Sequence, residues 1–245
     1  MNIIDYLDSN NISVGTEHFK KENVIIDKVS IYNQIRLISE VQRIFIKNKK
    51  SILPPIDSTI GRELEGFKVK IKRLKRYLNE LNYKYNNSFN NYLIEELNST
   101  IERAELTLNS IDNDKYIELI KRSMSNNEVC LGKVDEGNLK KSGRSIQIKS
   151  TKYLSCNLIE HDCYNYIKRL KKRGYISDLE EIIIFFTNIQ HLDIYSKEYI
   201  VMLANYPIES IKTFLRVKED KDVYTEEQWI NAIEQSKSID GNDLL

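Results

Sequence analysis

Glycine and proline are scarce in this chain, at 8 and 3 of 245 residues. That excludes a collagen-like or turn-rich all-β fold and leaves long helices. Cysteine is as rare: Cys130, Cys156 and Cys163 are the whole set. An odd number, with a start (Met1-Asn2-Ile3-Ile4-Asp5) that has neither the basic region nor the apolar core of an export signal, implies a reducing compartment and no disulfide framework. Cys156, His161 and Cys163 lie close together, but they offer three ligands at an unfamiliar spacing with no obvious fourth, so no metal is expected. No run of about 18 apolar residues exists, which excludes a membrane-spanning helix by sequence. A dominant charge is missing too. The net charge is +1, which gives the chain no global pull toward nucleic acid or membrane.

What is present is a globular composition, 41% hydrophobic and 30% charged. That supports a real core and not a disordered chain. After a short mixed start, in which Val24-Ile25-Ile26 reads as a strand, Asp27 is placed to cap a helix carrying Ile31, Ile35, Ile38 and Phe45 on one face. Pro54-Pro55 interrupts the chain, and Asp57 or Ser58 is placed to start the next helix. Ile60, Leu64, Phe67, Ile71, Leu74, Leu78 and Leu81 then follow at spacings of four and three, an apolar stripe over three heptads. This stripe reads either as burial within the domain or as pairing with a second chain. A third helix holds Leu93, Leu97, Ile101, Ala104 and Leu108, and a fourth runs from about Asp114 to Met124.

The texture changes at Val129-Cys130-Leu131 and Ser145-Ile146-Gln147-Ile148, which read as short strands with a turn at Lys141-Ser142-Gly143-Arg144. Helical periods return over about 160–172, 178–189, 196–205, 208–216 and 225–236.

Residues 47–84 hold eleven lysines and arginines against four acids, an excess of seven. The face carrying Lys68, Lys72, Arg73, Lys75 and Arg76 reads as the solvated side of an amphipathic helix or, alternatively, as an anion-facing surface. Tyr77, Tyr83 and Tyr85 could stack on bases, but nucleic acid is not the expected partner, because tyrosine is frequent throughout. None of His18, His161 and His191 stands in a recognisable catalytic arrangement.

Several stretches together resemble the aminoglycoside phosphotransferase and choline kinase superfamily. They are Ile101-Glu102-Arg103-Ala104-Glu105 with Tyr116-Ile117-Glu118-Leu119, Ile159-Glu160-His161-Asp162 with Tyr166-Ile167-Lys168-Arg169-Leu170, Met202-Leu203-Ala204-Asn205-Tyr206-Pro207, and Tyr224-Thr225-Glu226-Glu227-Gln228-Trp229. The branch it looks most like is the spore-coat kinase-like proteins of spore-forming Firmicutes, and the Asn-, Ile- and Lys-rich composition suits a clostridial source. The resemblance implies a mainly α (α+β) fold: a protein-kinase-like C-terminal-lobe helical bundle with a small β-hairpin over residues 58–236. Residues 1–57 would be a remnant of, or replacement for, the ATP lobe, and 237–245 a tail.

The same resemblance implies that the chemistry has been lost. The family's catalytic loop, His-Gly-Asp, four residues, then Asn, aligns with Leu131, Gly132, Lys133 and Asn138. Lysine stands where an aspartate should orient the acceptor hydroxyl, and at an ordinary pKa of about 10.4 it cannot take the proton. The metal-binding Asp aligns with Lys149. A cation pointing inward there would repel a divalent ion, since two unit charges about 4 Å apart repel by about 4 kcal/mol at an effective dielectric of 20. Asp162 is expected to brace the loop. No Gly-rich phosphate loop and no strand lysine with a pairing helix glutamate is found.

The expectation is therefore a non-catalytic scaffold or interaction protein without a cofactor. It would be cytoplasmic, assembled onto the spore coat if the branch holds, and would bind other proteins or a second copy of itself. A relict cleft around Gly132, Lys133, Asn138, Lys149 and Asp162 would serve that docking. A divergent small-molecule phosphotransferase and a polyanion binder using residues 47–84 are the alternatives.

Overall fold

The computed structural model describes residues 2–17, 19, 26–47, 54–83, 87–175, 177–220 and 223–241. Among these the chain forms ten α-helices and five short strands. The mainly α fold with a small β part, expected from the sequence, is what the chain adopts. No helix among the described residues is long and apolar enough to cross a membrane.

The first half supplies α1 (Ile3–Ser9), β1 (Ile12–Val14), α2 (Lys28–Lys47), α3 (Arg62–Asn82), α4 (Ser88–Asn109) and α5 (Asn113–Asn126). Helix starts follow local chemistry. Asn2 closes a capping box with Asp5, Asn87 accepts from the Asn90 amide, and Asp112 accepts from the amides of Asp114 and Lys115. Asp27 caps α2 through the Ser30 amide at 2.7 Å, as the sequence suggested. The next start differs from expectation. Ser58 bridges to Cys156 and the Thr59 amide donates to the Cys156 carbonyl, so α3 begins only after Gly61. Of the strand expected over Val24-Ile25-Ile26, Val24 and Ile25 lie outside the described residues, and Ile26 is in neither helix nor strand.

The β part is β2 (Val129–Cys130), β3 (Leu139–Ser142), β4 (Ser145–Ile148) and β5 (Ser155–Cys156). The sequence reading paired the 129–131 run with 145–148, and the structure corrects it. β4 pairs antiparallel with β3 across the Gly143 turn, while β2 pairs with β5. The other edge of β4 takes β1 in parallel, Ile12 opposite Ile146, so the sheet order is β1-β4-β3.

The second half adds α6 (Glu160–Lys172), α7 (Leu179–Gln190), α8 (Ile194–Asn205), α9 (Ile208–Glu219) and α10 (Glu226–Asp240). Residues 237–240 thus continue the last helix. Asp240 accepts from the amides of Glu209 and Ser210 and so caps α9.

Two apolar cores result, with α6 and α8 between them. The first joins Tyr6, Ile12, Ile31, Ile35, Ile38 and Phe45 to the hairpin, to Tyr166 and Ile167 of α6 and to Ile183 and Phe186 of α7. Tyr6, Ile12, Ile31 and Phe45 thus share a core with residues of α6 and α7 more than a hundred positions later. The second core is built on the heptad stripe. Leu64, Phe67, Ile71, Leu74 and Leu81 are buried against α4 and α9, in a core that Trp229 and Ile233 of α10 also join. The stripe is used within the chain. Each such side chain removed from water contributes about 1.5–3 kcal/mol. At its centre Phe67 stacks on Tyr206, ring centroids 3.7 Å apart, and the Tyr206 hydroxyl donates to the Phe67 carbonyl.

Candidate functional site

The loop between β2 and β3 gathers the residues singled out from the sequence. Leu131 is buried in the first core, and its amide donates to the Asp162 carboxylate at 2.9 Å. The Gly132 amide donates to the other oxygen at 2.8 Å, and Gln42 of α2 adds a third hydrogen bond at 2.9 Å. Asp162 lies fully buried in the first turn of α6. Burial pushes its carboxyl up to about 6, against the pull of the Leu131 and Gly132 amides and of Gln42. Its lone pairs are committed to holding the loop.

Gly132 turns the chain with φ +75°, a left-handed conformation. An added Cβ there would meet the Tyr153 carbonyl oxygen at 2.8 Å. The close approach brings Lys133 beside Tyr153: its exposed ammonium stands 4.2 Å from the ring centroid. A hydrogen bond from Lys133 and its charge hold the Tyr153 phenol below its ordinary pKa.

Asn138 donates through its side-chain amide to Asp135 at 2.9 Å, and its carbonyl accepts from the Lys149 amide at 2.9 Å. That backbone bond brings Asn138 and Lys149 together at the end of β4. The loop's acids are engaged. Asp135 also accepts from the Gly137 amide and has Arg169 at 3.6 Å and Arg173 at 4.0 Å. Glu136 accepts from the Tyr166 hydroxyl and from Arg173, both at 2.6 Å. The loop thus presents Lys133 outward and turns Asp135 and Glu136 toward cations and a phenol.

The possible zinc trio is not assembled. His161 pairs with the Tyr199 hydroxyl at 3.0 Å, and burial lowers its pKa to about 4, keeping it neutral. Cys163 is fully buried in the first core. Among the described residues no group of three or more His, Cys, Asp and Glu is placed to hold a metal ion.

The basic face of α3 is largely offset by acids. Lys68 pairs with Glu65, Arg73 with Glu219 of α9 and Lys75 with Glu105 of α4, at 2.9, 2.7 and 2.6 Å. Lys72 and Arg76 are exposed on the same helix. Lys49, Lys50, Lys84 and Tyr85 lie outside the described residues.

Two features escaped the sequence reading. Arg122 of α5 grips Glu128 at 2.9 Å and Glu160 at 2.8 Å, both buried, and donates to Ser196 of α8 at 2.8 Å. Burial opposes the Arg122 charge, but the two carboxylates more than offset it and hold the guanidinium protonated. A basic residue six positions before an acid was the signal, and nothing local showed that Glu160 would join them. The second feature is a cavity of about 680 Å³ between α4 and α8, with Glu180 of α7 also in its lining. It is lined by none of the loop residues.

No family model matches the chain, and no curated protein matches it. A solved structure, the aminoglycoside phosphotransferase from Alicyclobacillus acidocaldarius, superposes with a TM-score of 0.58 at 10% sequence identity. The match covers 84% of this chain and 61% of that one, so this chain spans less than two thirds of the neighbour's length. At this identity the likeness establishes the fold, a kinase-like one.

Proposed function

We propose that this chain is a kinase-like binding protein that does not transfer phosphate. The observation that carries this reading is the charge arrangement of the β2–β3 loop and of the adjoining end of β4. Lys133 and Lys149 occupy the two positions where the resemblance expects carboxylates. The acids that remain, Asp135 and Glu136, already face Arg169, Arg173 and Tyr166. Magnesium needs hard oxygen ligands, and a carboxylate that leaves an arginine for the metal gives up a charge-assisted pair. Asp162 has three donors to satisfy and stays in the fold.

Titration calorimetry with Mg-ATP, followed by an ADP-release assay, tests this. Absence of heat to millimolar nucleotide is expected. Binding at tens of micromolar with ADP production would establish the competing reading, a divergent small-molecule phosphotransferase, with which the kinase-like fold is equally compatible. Assignment to the spore-coat branch rests on the sequence resemblance. It predicts a transcript that rises during sporulation, and a purely vegetative transcript would remove it.

A further inference from the structure

The cavity between α4 and α8 has the form of a docking groove. Its walls are one face of each helix, from Ser99 on α4 to its C-cap Ser110 and from Ile194 to Asn205 on α8. At 1.5 Å per residue each wall runs about 16 Å, the length of a three-turn helix. Leu106 and Ile194 stand in it 65% and 55% exposed, with Met202 beside them. Large apolar side chains left open along a groove are what a partner's apolar stripe covers.

Charge decides what kind of stripe fits. Glu180 and Lys197 neutralise each other at 2.8 Å. Arg103 donates to the carbonyls of Asn205 and Gly241, tying α4 to the ends of α8 and α10. Glu102 and Glu198 line the same groove, and neither has an ion-pair partner among the described residues. Three acids (Glu102, Glu180 and Glu198) line the groove against two cations (Arg103 and Lys197), so its walls carry a net charge of −1. An acidic partner would be repelled, and a neutral one would leave Glu102 and Glu198 in a narrowed, less solvated gap.

We propose that this groove docks a basic amphipathic helix, about three turns of a partner protein whose leucine-type stripe is bordered by lysine or arginine. The stripe covers Leu106 and Ile194, and the flanking cations pair with Glu102 and Glu198. Open walls with exposed rim residues fit a rod-shaped segment better than a compact amine, which would leave Leu106 or Ile194 in water. The proposal is independent of whether the β2–β3 loop binds nucleotide.

The test uses a fluorescein-labelled leucine–lysine helix of about four turns, titrated with the full chain and read by anisotropy. Saturable binding is expected. Glu102→Lys together with Glu198→Lys weakens it at least tenfold and confers binding of the corresponding leucine–glutamate helix. Leu106→Ser weakens both. These positions are exposed or at the rim, and circular dichroism verifies that the variants stay folded. Equal binding of a scrambled, non-amphipathic lysine peptide, or an unchanged affinity in the double variant, overturns the proposal. Displacement of the peptide by micromolar spermine would assign the groove to small amines and equally overturn it.

Discussion

Gln42 reaches from the middle of α2 to Asp162 at the start of α6, its amide nitrogen 2.9 Å from the carboxylate. The Gln42 side-chain oxygen in turn accepts from Gln190 of α7 at 2.6 Å. A single buried amide therefore links α2, α6 and α7 and fixes the carboxylate that holds the amides of Leu131 and Gly132. A chain of this kind is costly to break, because each partner lost leaves a desolvated polar group behind.

Asp162 and its neighbour His161 give opposite pH dependences. The Asp162 carboxyl is raised from 3.8 to about 6, so its stabilising contribution is complete below about 3.8 and is lost as pH rises through 6. The His161 imidazole is lowered from 6.5 to about 4, so its contribution is complete above about 6.5 and is lost as pH falls through 4. Each shift corresponds to about 3 kcal/mol, and over pH 4–6 they largely cancel. Asp162→Asn is expected to expose a stability that rises with pH across this window, and His161→Gln one that falls. Other buried carboxyls, Asp240 among them, add a slope common to all three proteins. Urea unfolding at half-unit pH steps measures this. Slopes moving in the same direction in both variants would contradict it.

Gly132→Ala combines a left-handed backbone with a Cβ placed 2.8 Å from the Tyr153 carbonyl. A loss of about 2 kcal/mol or more in chemical unfolding is expected. Gly143, also at positive φ but with open space around it, serves as the comparison, and its alanine variant loses about half as much.

Arg122→Met leaves Glu128 and Glu160 buried without their cation. The expected cost is about 3–5 kcal/mol, seen as a fall in thermal midpoint. Adding Glu128→Gln and Glu160→Gln to the same variant restores a substantial part, since the penalty lies in the unpaired charges. If the triple variant is no more stable than Arg122→Met, the network's contribution lies in packing.

Arg73→Ala removes an exposed pair with Glu219. Stability changes by less than about 1 kcal/mol, and the change shrinks with added salt.

The long helices were legible because their signals are local. The stripe from Leu64 to Leu81 and the cap at Asp27 are read within a few residues of one another. The short elements were not. β1 exists because Ile12 finds Ile146, and β5 because Cys156 finds Val129, pairings that no window of sequence contains. The basic face of α3 was visible as charge, but Glu219, which faces Arg73, lies 146 positions later. The groove was hidden for a related reason. Leu106 looks like an ordinary surface leucine until α8 is laid beside it.

The parallel pairing of β1 with β4 carries a cost during synthesis. A nascent chain exposes Ile12–Val14 on the ribosome long before Ile146–Ile148 has been translated. At roughly 5–20 residues per second the wait is on the order of ten seconds. Through that interval the edge of β1 lacks the strand it bonds in the finished fold, so the first core closes only after β4 has been made.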